Sequence, residues 1–121
     1  MPKYVLIVDD VPNIVLSLVF LMKKEGYEVH SVSNGEEAMD AVAEKIPDLI
    51  LLDVMMPRKG GYEVCQELRA KPEWKDIKIL MLTAKGRDVE REKGLALGAD
   101  DYVTKPFATQ ELVEKVKTLL S

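Results

Sequence analysis

The sequence predicts an α/β protein built on a doubly wound parallel sheet with helices on both faces. Three observations predict it. Five short apolar runs alternate strictly with five longer helix-like segments. The runs are continuously apolar rather than alternating, as strands buried on both faces are. Turn residues separate each run from its neighbours. The runs are Tyr4–Val8, Val29–Val32, Leu49–Leu52, Ile77–Leu82 and Tyr102–Val103. The helical segments lie near Val11–Glu25, Gly35–Glu44, Tyr62–Arg69, Asp88–Leu97 and Thr109–Leu120. The last is the clearest, because Leu112, Val113, Val116, Leu119 and Leu120 share one face. Gly26 and Gly98 stand where a helix C-terminus favours a left-handed residue. Ser33-Asn34-Gly35 and Pro57–Gly61 are turn clusters.

Right-handed crossovers leave few topologies for such a chain. The common solution is the flavodoxin-like (βα)5 sheet of order 2-1-3-4-5. At 121 residues the chain has the size of one domain, 1–121, and no output domain is expected within it. Net charge is −4, with acids and bases interspersed and no basic block, so direct nucleic-acid binding is not expected. Cys65 is the single cysteine, which rules out an internal disulfide and fits a cytoplasmic location. The longest apolar stretch, Ile14 to Met22, is interrupted by Ser17 and too short to span a membrane.

In sheets of this kind, ligands bind beyond the carboxyl ends of the strands, where the winding direction reverses. The first strand ends in Asp9-Asp10, the third in Asp53 and the fourth in Thr83; the fifth is followed by Lys105-Pro106. Three carboxylates, a hydroxyl and an amine therefore converge on one crevice. Close carboxylates repel unless a hard cation neutralises them. Mg2+ suits this role, since it takes a few carboxylates and completes its shell with waters and phosphate oxygens. Lys105 brings a further positive charge. Such a site holds an anion beside a metal, and Asp53, on the middle strand, is best placed to attack phosphorus. Phosphoryl transfer needs in-line positioning and charge neutralisation above all.

Four stretches carry a resemblance to a known family: Ile7-Val8-Asp9-Asp10, Leu51 to Pro57, Met81-Leu82-Thr83-Ala84, and Gly98 to Phe107. With these the sequence resembles response-regulator receiver domains of two-component signalling, over essentially the whole chain. The resemblance implies that Asp53 is the phosphoacceptor, modified to 4-aspartylphosphate by a sensor histidine kinase or a phosphotransfer protein. It implies that Asp10 and Asp53 ligate Mg2+ directly, Asp9 through water, and Met55 through its backbone carbonyl. Lys105 would pair with Asp53 and then with the phosphoryl group, its bond to Pro106 being cis. Thr83 would move toward the phosphoryl group and Tyr102 turn inward behind it, forming the switch. Such a domain is a signalling phosphoacceptor that assists its own phosphorylation and dephosphorylation rather than a conventional enzyme. It controls a downstream protein target or an output domain, as a monomer or a weak dimer through the fourth helix, fifth strand and fifth helix.

Other functions of the same topology fit less well. The turn after the first strand, Asp-Asp-Val-Pro, lacks the hydroxyl- and glycine-rich phosphate loop of a flavodoxin. An aspartate-nucleophile phosphatase would place a second Asp where Met55 stands. Met55 and Lys85 are expected to flank the phosphoryl group. A thioether orients no attacking water, so slow self-dephosphorylation is expected. The first helix is apolar at eight of the nine positions from Ile14 to Met22. The surplus at Val15, Val19 or Met22 has two readings: an exposed patch, in the region where family members meet the histidine-bearing partner, or a face covered by the neighbouring fifth helix. The fourth helix is thin in apolar residues and contains Gly94, and is expected to be a loosely held moving part.

Overall fold

The structure is a computed structural model that describes residues 2–84 and 88–121. Its elements run β1 (Tyr4–Val8), α1 (Pro12–Lys24), β2 (Glu28–Val32), α2 (Gly35–Glu44), β3 (Leu49–Asp53), α3 (Gly61–Ala70), a 3-10 turn (Pro72–Trp74), β4 (Lys78–Ala84), α4 (Asp88–Ala96), β5 (Asp101–Lys105) and α5 (Thr109–Leu120). All strand pairs are parallel, and the sheet order is β2-β1-β3-β4-β5, the flavodoxin-like arrangement.

The strand sequences divide cleanly between two cores, because successive side chains point to opposite faces. Leu6, Val8, Ile50, Leu52, Ile79 and Met81 face α2 and α3 and pack on Ala38, Val42, Val64, Cys65 and Leu68. Val5, Ile7, Leu49, Leu51, Leu80 and Leu82 face α1 and α5 and pack on Leu18, Met22, Leu112 and Val116. Every residue of β1 is buried, and so is every residue of β3. The edge strands β2 and β5 are only partly covered.

Helix ends follow local chemistry. Asn34 Oδ1 accepts from Glu37 N at 2.9 Å, while Glu37 Oε1 accepts from Ser33 N at 2.9 Å, a reciprocal cap at the start of α2. Gly26 and Gly98 end α1 and α4 with φ of 90° and 113°, a conformation that a Cβ disfavours. At Gly98 a Cβ would also stand 2.7 Å from Arg69 Cγ.

Two expectations change. Strand β4 spans Lys78–Ala84, one residue beyond the expected end at Thr83, and β5 spans Asp101–Lys105 rather than two residues, because Thr83 pairs with Thr104 and Ala84 with Lys105. Backbone pairing rather than apolar character sets those ends. The surplus apolar face of α1 is also not the one expected: Met22 is fully buried and Val15 and Val19 are half-buried, whereas Leu16 and Phe20 are 69% and 66% exposed. Leu18 and Met22 face the sheet, and a two-residue offset of about 200° puts Leu16 and Phe20 on the far side. Among the described residues, no helix is long and apolar enough to cross a membrane.

Candidate functional site

The winding reverses between β1 and β3, and the crevice beyond their carboxyl ends holds the two most deeply buried charged residues among the described ones, Asp9 and Asp53. Asp9 follows β1 and is fully buried; Asp53 closes β3 and is 6% exposed; Asp10 faces solvent. One carboxylate oxygen from each of the three lies within 4.8 Å of the others. Lys105, the last residue of β5, crosses to this cluster: its Nζ stands 2.8 Å from Asp9 Oδ2 and 3.2 Å from Asp53 Oδ1. The Lys105–Pro106 bond is cis.

Backbone groups fix the carboxylates in place. Asp9 Oδ1 accepts from Val11 N at 2.9 Å, just before α1 begins. Asp53 Oδ1 receives a longer contact from Met55 N, at 3.4 Å. The chain turns sharply after Asp53, with Gly61 N donating to Val54 O at 3.1 Å. A Cβ at Gly61 would meet Asp53 O at 2.2 Å, so only glycine lets α3 start this close to the end of β3.

The electrostatics are unbalanced. Burial pushes the Asp53 carboxyl up to about 6, and the neighbouring Asp9 charge pushes the same way, against the pull of Lys105. For Lys105, burial favours the neutral amine, but the Asp9 hydrogen bond and the Asp53 and Asp9 charges outweigh it and raise its pKa. One ammonium thus faces three carboxylates. The donor set is all carboxylate oxygen, partly buried and open on the Asp10 side, which fits a hard divalent cation with room for water and phosphate oxygens.

Thr83 lies at the same strand edge. Its Oγ1 is buried and has no hydrogen-bond partner among the described residues, an uncommon condition for a buried hydroxyl. The Met55 side chain is 67% exposed beside the crevice. Lys85 lies outside the described residues. Tyr102, one strand over on the α4 face, is half-buried between α4 and α5.

The structure therefore brings together Asp9, Asp10, Asp53 and Lys105, with Thr83 at the neighbouring strand end. Sequence reasoning paired Lys105 with Asp53 and missed its closer partner Asp9, because strand order alone does not tell which of two adjacent aspartates turns inward. It also missed a groove of about 680 Å³ between α1 and the segment after β5, lined by Ile14, Phe20, Leu21, Lys105 and Phe107. The apolar surplus in α1 was the signal, with the helical offset from Leu18 left uncounted.

Comparison with known proteins agrees with this geometry. A family model for the response regulator receiver domain matches residues 5–117. Among solved structures, a protein assigned as a response regulator from Chloroflexus aurantiacus J-10-fl is 40% identical, over 99% of this chain and 98% of that one, with a TM-score of 0.96. The chemotaxis response regulator CheY4 of Vibrio cholerae is 31% identical over 99% and 100%, with a TM-score of 0.92. The receiver domain of the sensor histidine kinase PA1611 from Pseudomonas aeruginosa PAO1, which has a magnesium ion coordinated in its active site cleft, is 29% identical over 99% and 98%, with a TM-score of 0.90. With its sheet order, its acidic crevice and these matches in agreement, the chain belongs to the response regulator receiver domain family of two-component signalling.

Proposed function

We propose that Asp53 accepts a phosphoryl group from the phosphohistidine of a sensor histidine kinase or phosphotransfer protein, in a Mg2+-dependent reaction, and that the domain then changes conformation to control a protein target or an output domain. The observation that carries this reading is the partly neutralised cluster in which buried Asp53 lies beside Asp9, Asp10 and Lys105. Asp10 and Asp53 would hold the metal directly, with Asp9 acting through water and Met55 contributing its backbone carbonyl. When bound, Mg2+ supplies positive charge to the carboxylates and to the phosphoryl oxygens.

A carboxylate oxygen of Asp53 attacks phosphorus in line. The O–P bond forms as the P–N bond of the phosphohistidine breaks, and the donor nitrogen leaves with the electron pair. Lys105, already drawn to the site by Asp9, stays beside Asp53 and pairs with a phosphoryl oxygen. The Thr83 hydroxyl, without a hydrogen-bond partner among the described residues, gains one in a second phosphoryl oxygen.

The modification replaces the single carboxylate charge with a phosphoryl group carrying nearly two, a net gain of about one negative charge, and adds strong acceptors. Moving a two-state balance from 1:99 to 99:1 takes about 5.5 kcal/mol of differential binding. One charge-assisted hydrogen bond supplies about 1.5–3 kcal/mol. Thr83 alone falls short, so Lys105 and repacking around Tyr102 share the work. The exposed Leu16–Phe20 face of α1 and the adjoining groove fit the surface on which the histidine-bearing partner docks, since it borders Lys105.

Incubation with acetyl phosphate and Mg2+, followed by intact mass, tests the reading. The wild type gains one phosphoryl group and Asp53→Ala gains none; an unchanged wild-type mass with an active donor contradicts it.

A further inference from the structure

Tyr102 sits on the edge strand with its ring flanked by cations from two helices. The Arg91 guanidinium carbon, on α4, lies 4.9 Å from the ring centroid. The Lys115 ammonium, on α5, lies 4.7 Å from it. These helices pack on opposite faces of the sheet, so Lys115 must reach around β5 to arrive there. Its path is pinned: Nζ donates to Tyr102 O at 2.7 Å and pairs with Asp101 Oδ1 at 3.4 Å. Arg91 is steadied by Asp88 Oδ1 at 3.2 Å, one turn earlier on its helix. Both cationic side chains are largely withdrawn from water, at 34% and 26% exposure, which strengthens contacts that solvent would otherwise screen. The Tyr102 hydroxyl has no hydrogen-bond partner among the described residues. The ring is thus held by its face and its backbone rather than by its polar end.

We propose that Arg91 and Lys115 form a two-helix cationic clamp that positions the Tyr102 ring and couples α4 to α5 across the edge of the sheet. Neither side chain touches the phosphoacceptor crevice, so both are positioning residues. Movement of the ring requires at least one cation to let go, and anything that recruits Arg91 or Lys115 to another partner loosens the ring. The regulatory consequence rests on the reading of Tyr102 as part of the switch; the clamp itself concerns the resting ring and does not.

The test is nuclear magnetic resonance of the full chain labelled with fluorotyrosine, the Tyr102 signal being assigned with Tyr102→Phe. Broadening by a soluble paramagnetic probe reports exposure of the ring, independent of the loss of a nearby charge. In the free protein, the double variant Arg91→Gln with Lys115→Gln should broaden at Tyr102 by about twofold more than wild type, and the conservative pair Arg91→Lys with Lys115→Arg should restore the wild-type value. Titration with Mg2+ and beryllofluoride, a phosphoryl mimic, should then drive the Tyr102 signal at a midpoint about threefold lower in the Gln pair than in wild type. Unchanged broadening in the Gln pair overturns the clamp. Changed broadening with an unchanged midpoint confines the clamp to the resting ring and overturns the coupling. A wild-type Tyr102 signal that ignores beryllofluoride while the crevice residues respond overturns the switch role, and the free-state comparison still decides the clamp.

Discussion

Lys105 Nζ lies 2.8 Å from Asp9 Oδ2, closer than the 3.2 Å to Asp53 Oδ1. The two partners differ in setting: Asp9 is fully buried, whereas Asp53 borders the opening of the crevice. Lys105 therefore works as the counter-ion of Asp9 in the resting protein, and its proximity to Asp53 makes the same ammonium available to an incoming anion.

Removing Lys105 should destabilise the metal-free protein. A buried carboxylate left without its counter-ion costs about 3–5 kcal/mol. Lys105→Met should lower the free energy of urea unfolding by an amount in that range, and its midpoint accordingly, with much of the loss recovered in millimolar Mg2+. A midpoint equal to wild type without metal would show that Asp9 finds another partner.

Asp53 should act in the opposite sense. Its folded carboxyl sits near 6, above the 3.8 of an ordinary aspartate. The folded state therefore binds this proton more tightly than the unfolded chain does. Above about pH 6, the ionised group costs stability; below its ordinary value, both states hold the proton and the cost disappears. Asp53→Asn should thus raise the stability of the metal-free protein by about 1–3 kcal/mol at pH 7.5. The difference from wild type should shrink as pH falls from 6 toward 4. Thermal unfolding of the two proteins side by side checks this, and a gap that widens on acidification would contradict it.

Met55 bears on the lifetime of the phosphorylated state. Its side chain is exposed beside Asp53 and offers no group to orient water. Met55→Asn should speed dephosphorylation by about tenfold, below the range for a true general base. Decay of the phosphorylated form, followed by phosphorus resonance or mass, measures it. An unchanged half-life would remove Met55 from the account.

Leu16 and Phe20 should matter only to a macromolecular donor. Leu16→Ser with Phe20→Ser removes an exposed apolar patch and touches neither core cluster. Transfer from a phosphohistidine protein should slow by about tenfold or more, as expected when interface anchors are lost, while transfer from acetyl phosphate should not change. Equal slowing with both donors would mean that the crevice itself was disturbed.

Much of this was legible in the sequence, for identifiable reasons. β1 and β3 are buried on both faces, so their residues had to be continuously apolar, and both runs stood out. Gly26 and Gly98 marked helix ends because few other residues accept a positive φ there. β5 was harder: Asp101, Thr104 and Lys105 join the strand through pairing with β4, which composition does not record. α1 misled because eight apolar residues exceed what one face can bury, and only counting from Leu18 separates the buried Met22 from the exposed Phe20. In α4, Gly94 is buried, and a Cβ there would meet Met81 at 3.4 Å, so no forced close approach accounts for the glycine. At the site, strand order placed Asp9, Asp10, Asp53, Thr83 and Lys105 on one edge. The preference of Lys105 for Asp9 needed distances.

Chemical mapping locates the phosphoryl group most directly. The protein is phosphorylated with acetyl phosphate and Mg2+, then reduced with borohydride, which converts an acyl phosphate to an alcohol, and the product is mapped by peptide mass. Homoserine is expected at position 53, and is absent when Mg2+ is chelated beforehand. Homoserine at Asp9 or Asp10, or a phosphorylated protein that borohydride leaves unchanged, would contradict phosphorylation at Asp53.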